Sequence, residues 1–79
     1  MGTILTPDQM RDLLSTLLEG AAGGTHDEWR HAVGPVEKLT THLNMHCNWT
    51  VHPEGNRKQI TAIERAVDIV RIEHPYVAP

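Results

Sequence analysis

Residues 40 to 52 read TTHLNMHCNWTVH, and they hold the most reactive side-chain types in the chain. Histidines 42, 46 and 52 and the single cysteine, Cys47, are metal-ligand types. A thiol next to an imidazole also suggests nucleophilic catalysis. Apolar or soft residues alternate with polar ones: Leu43, Met45, Cys47, Trp49 and Val51 on one row, His42, Asn44, His46, Asn48, Thr50 and His52 on the other. This period of two is that of a strand, whose successive side chains point to opposite faces.

A strand restricts both chemistries. Zinc sites favour patterns such as C-x2-C with H-x3-5-H, and no such spacing occurs here. In a hairpin centred on Asn44, His42 faces His46 with Cβ atoms about 5 Å apart. His52 lies six residues beyond His46, about 20 Å along a strand, and Cys47 points to the other face. A metal ion would need a third ligand from His31, His26 or another chain. Catalysis is disfavoured by the same alternation, because His46 cannot reach the thiol of its neighbour. Cys47 therefore reads as a small buried hydrophobe. No G-x-S-x-G, P-loop, G-x-G-x-x-G or H-E-x-x-H motif is present. The chain is not expected to be an enzyme or to carry a cofactor.

The elements that position this segment are well signed. Thr6-Pro7-Asp8-Gln9 is a capping box with proline at the first helical position. It opens a helix over 7–19 with Met10, Leu13, Leu14, Leu17 and Leu18 on one face. Leu5 can staple onto Met10, Gly20 offers a stop, and GAAGG (20–24) is a flexible joint. Thr25-His26-Asp27-Glu28 is a second box, opening a helix over 26–33 that Gly34-Pro35 closes. Asn56 with Gln59 opens the last helix, which runs to Glu73 before Pro75. Its apolar half is Ile60, Ala62, Ile63, Ala66, Val67, Ile69 and Val70, and Ile72 falls among the polar residues.

Residues 35–45 fit both periods. The hairpin reading pairs Leu39 with Trp49, Thr40 with Asn48, Thr41 with Cys47 and His42 with His46, keeping both faces consistent. The alternative makes 35–44 a helix. The expected fold is α+β, a single small domain over 1–79 in the order helix, helix, hairpin, helix (ααββα). The expected core is Met10, Leu13, Leu14, Leu17, Trp29, Val33, Leu39, Cys47, Trp49, Val51, Ile60, Ile63, Val67 and Val70.

Composition narrows the function. Seventy-nine residues with two Trp, one Tyr and no Phe make a thin core, which favours docking on a partner or self-association. The net charge of −3 divides into −4 over residues 1–37 and +1 over 38–79. Arg57, Lys58, Arg65 and Arg71 share the last helix, but Glu64 and Asp68 interrupt them, so nucleic acid is disfavoured. No apolar run approaches the ~18 residues of a membrane span, and no secretory signal is evident. MGTILT matches the myristoylation pattern, but one acyl chain without a polybasic patch anchors weakly. One cysteine and no leader lead to a cytoplasmic expectation.

By elimination the chain reads as a non-enzymatic protein-binding module, an inhibitor, antitoxin-like protein or adaptor, whose partner is another protein or a second copy. The uncharged polar face at Thr40, His42, His46, Asn48 and Thr50, with Ile72 and Tyr76 beside it, is the expected partner-binding site. The alternatives are a zinc-type protein using His42 and His46, and a nucleic-acid-associated regulator using the last helix.

Overall fold

Capping chemistry sets the helices of the computed structural model, which describes residues 4–40 and 47–78. Helix α1 is Pro7–Ala22, α2 is His26–Val33 and α3 is Arg57–Glu73. The Thr6 and Asn56 boxes are complete: each cap side chain accepts from the backbone N–H of Gln9 or Gln59, and each Gln side chain accepts from the cap's own N–H. Thr25 makes half of its box, accepting from Glu28 N–H at 3.2 Å. Between α2 and α3, strands β1 (Glu37–Lys38) and β2 (Trp49–Thr50) pair antiparallel. The order is helix, helix, hairpin, helix in one small domain. Its radius of gyration is 12.0 Å, close to the roughly 11.6 Å of a compact chain of this length.

Helix α1 passes through Gly20, where a stop was expected, and ends at Gly23. A helix interior tolerates one glycine at a cost of ~1 kcal/mol, whereas Gly23 and Gly24 both take φ near 80°, which favours glycine. The joint is more specific than its composition implies. The Trp29 indole N–H donates to the Gly23 carbonyl at 2.6 Å. A Cβ on Gly24 would sit 3.3 Å from that nitrogen.

Helices α1 and α2 are clamped by charge. Arg30 binds Asp8 at 3.0 Å and also Asp12, which in turn meets His26 at 3.2 Å. The Arg11 guanidinium donates to the Arg30 carbonyl, at 2.9 Å from Nε and 2.6 Å from Nη2, placing a cation at the C-terminal end of α2. Hydrogen bonds first from His26 and then from Arg30 hold the Asp12 carboxyl below its ordinary value of 3.8. A carboxyl depressed by folding contributes stability above its unfolded value and loses that contribution as pH falls through the folded one. Denaturation midpoints followed from about pH 5 to about pH 2 should therefore decline less steeply for Asp12→Asn than for the parent. Parallel curves would remove Asp12 from the clamp.

The core joins Met10, Leu14 and Leu18 of α1, Trp29, Ala32 and Val33 of α2, Val36, Trp49, and Ile63, Val67 and Val70 of α3 to Val77 of the tail. Leu13, Cys47 and Val51 pack against it half-buried, and Leu39 and Ile60 are also half-buried rather than fully inside. Leu17, expected in the core, is exposed. It faces the rim of the groove between α1 and α3, while Leu18, the next residue, turns into the core. Val36 and Val77, absent from the expected core, are buried.

The hairpin register differs from the expected one by one residue. Lys38 faces Trp49 and Glu37 faces Thr50, and the Leu39 N–H donates to the Asn48 carbonyl at 2.5 Å. Leu39 therefore lies opposite Asn48, not Trp49, and Thr40 is not the partner of Asn48. The expected register assumed one dry and one wet face. In fact both Trp49 and Asn48 are buried, because the chain after α3 covers the side that was expected to face water. The expected Thr41–Cys47 and His42–His46 pairs, and the hairpin centre at Asn44, fall at least partly outside the described residues.

Candidate interaction surface

Trp49 anchors the middle of the chain. Its side chain is fully buried, its indole N–H donates to the His74 carbonyl at 2.8 Å, and Arg71 lies 5.4 Å from the ring centroid. The same guanidinium reaches the Trp49 carbonyl and the Thr50 hydroxyl, both at 3.4 Å. Arg71 is thus turned onto the strand and withdrawn from the basic set of α3. Arg57, Lys58 and Arg65 remain exposed.

Asn48 is spent on the fold. It is 4% exposed, its side-chain amide donates to the Val77 carbonyl at 3.1 Å, and its side-chain oxygen accepts the Val77 N–H at 2.6 Å. Its backbone N–H donates to Pro75 at 3.0 Å. The expected solvated row therefore breaks at its centre: Asn48 faces the tail, and Thr50 is half-buried against Arg71. His42 and His46 lie outside the described residues. His52, next on the row, is exposed and pairs with Glu37 at 2.5 Å. Among the described residues no group of three or more His, Cys, Asp or Glu side chains is arranged to hold a metal ion. Cys47 is half-buried, not buried as expected, and its thiol donates to the Trp49 carbonyl at 3.2 Å.

The other expected contact residues divide between two surfaces. Thr40 and Tyr76 line one shallow concavity with Ile4, Lys38, Leu39 and the edges of Asn48 and Val77. Both are exposed, and each also engages in an interaction within the chain. Ile72 lies elsewhere, on the outer side of α3, and is 83% exposed. One turn before it, Ile69 is 63% exposed, and Leu17 of α1 is 43% exposed. Leu17 and Ile69 border a second groove, floored by Leu18, Ala21, Ala22, Ala62 and Ala66 and edged by Arg65. Four alanines let α1 and α3 leave a trough instead of filling it.

Comparison with family models, with curated proteins and with solved structures finds no match. The surface itself carries the functional reading. Sequence periodicity puts Leu17 in the expected core and Ile69 on the apolar half of α3, because they share the apolar arcs of their helices. The signal that separates them is arc width: α3 is apolar over half its circumference, more than one neighbouring helix covers. No described helix is long and apolar enough to cross a membrane.

Proposed function

We propose that this chain is a non-enzymatic protein-binding module whose contact surface is the outer face of α3 with the adjoining end of α1. The observation that supports this reading is the exposure of Leu17 and Ile69 on the rim of an alanine-floored groove, with Ile72 exposed one turn beyond Ile69 on α3. Single exposed apolar side chains are ordinary, whereas a contiguous patch marks an interaction site. The groove is apolar and open and lacks convergent titratable groups, features of a docking surface more than of a catalytic cleft. Of the residues expected to bind a partner, Ile72 belongs to this surface.

Affinity purification from the native cell tests the reading. The double variant Ile69→Asp, Ile72→Asp alters only exposed positions, so its helical signal and melting temperature should stay close to the parent's. A protein recovered in stoichiometric amount with the parent chain should fall at least about tenfold with the variant, as for loss of two apolar anchors. Equal recovery with both chains would overturn the assignment of this face.

A further inference from the structure

We propose that the outer face of α3 pairs with the same face of a second copy, giving a two-fold dimer with antiparallel α3 helices. This rests on the protein-binding reading and names its partner. Ala62, Arg65, Ile69 and Ile72 follow one another at spacings of three, four and three residues, the seam along which two helices interlock. The seam is self-complementary in charge. With the two-fold axis at Ile69, that residue meets its own copy. Arg65 lies four residues before it and Glu73 four residues after it, so an antiparallel partner brings Arg65 level with Glu73 of the second copy at both ends.

At a helix separation of about 9 Å, the long Arg65 side chain crosses the seam to that carboxylate. Ile72 of the second copy then lies along its methylene stem. Both charges are exposed, and neither makes a hydrogen bond or ion pair with another described residue. A parallel arrangement sets Arg65 against Arg65 and Glu73 against Glu73, so charge selects the antiparallel one. The groove between α1 and α3 lies on the same side of the seam in both copies, which brings the two Leu17 side chains toward the contact. A closed, isologous contact of this kind ends at two copies. The seam from Ala62 to Ile72 is about 15 Å long, the low end for a specific interface, so association should be concentration-dependent.

Sedimentation equilibrium of the full chain and three variants tests the proposal. The parent should dimerise reversibly. Arg65→Glu and Glu73→Arg each place like charges level at both ends and should weaken the dimer at least about tenfold. The combined swap restores opposite charges and should recover dimerisation to within a few-fold of the parent. Helical signal and melting temperature serve as the folding control for all four chains. A parent that stays monomeric at every concentration would overturn the dimer. If Ile69→Asp, Ile72→Asp nevertheless abolishes capture of a different protein, the binding reading stands without the dimer. Dimerisation that both single swaps leave unchanged, or that the combined swap fails to recover, would overturn the antiparallel alignment.

Discussion

Trp49→Ala should unfold most of the population at room temperature. Removing a fully buried aromatic costs about 3–5 kcal/mol, the full stability of many domains this small. Two further interactions depend on this side chain. The His74 carbonyl at the cap of α3 loses its indole donor and with it the tie to β2, and Arg71 loses the ring beneath its guanidinium. Trp49→Phe separates these contributions, because it keeps most of the apolar volume and removes the indole N–H. It should cost less than the alanine variant and leave a cooperative transition at a lower midpoint. Urea denaturation followed by far-ultraviolet circular dichroism measures both. An alanine variant with the parent's midpoint would show that Trp49 does not hold the sheet to α3.

Asn48→Ala should also be strongly destabilising, although asparagine is not a core residue type. Asn48 joins β2 to the tail by three hydrogen bonds, two of them through its side chain. Alanine leaves the Val77 N–H and C=O buried without those partners. Each unsatisfied group costs about 1–3 kcal/mol, so the expected loss for the two is roughly 2–6 kcal/mol. Asn48→Asp should do no better: a carboxylate accepts the Val77 N–H but cannot donate to the Val77 carbonyl, and the site buries a charge. Amide exchange locates the effect. The Val77 and Ala78 amides should exchange much faster in Asn48→Ala while the α1 amides change less. Unaltered protection at Val77 would show that the Asn48 side chain does not hold the tail.

The sequence was most legible where chemistry is local. Thr6, Thr25 and Asn56 announce helix starts by hydrogen bonds that span three residues, and all three caps form. Helix ends were less clear, because Gly20 and Gly23 carry the same composition signal and only backbone torsion separates them. The hairpin was found but placed one residue off. Its register depends on the tail, which packs on β2 from nearly thirty residues away, and a period-two pattern contains no record of that third layer. The same omission made Asn48 look solvated. In a strand buried on both sides, a polar residue pointing at backbone is as well placed as an apolar one. The candidate surface was legible only in part. Ile72 stood out as an apolar residue among polar ones, whereas Ile69 and Leu17 could be assigned outward only once the helices they leave uncovered were known.

The Ala78 N–H donates to the Leu5 carbonyl at 2.7 Å, just before α1 begins. That bond joins residues 73 positions apart in sequence, with Asn48 gripping the same segment after α3. Closing so long a loop costs only slightly more entropy than closing a medium one, because the cost rises with the logarithm of length. The penalty is therefore mainly one of timing. Helices α1 and α2 can form and clamp from nearby residues, and β1 can find β2, while the seal over Asn48 waits for residues 75–77 to be made and to dock. Until then the strand that carries Trp49 is open on one side. The order of segments thus makes this domain one whose helical hairpin forms readily and whose integrity is decided when residues 75–78 dock.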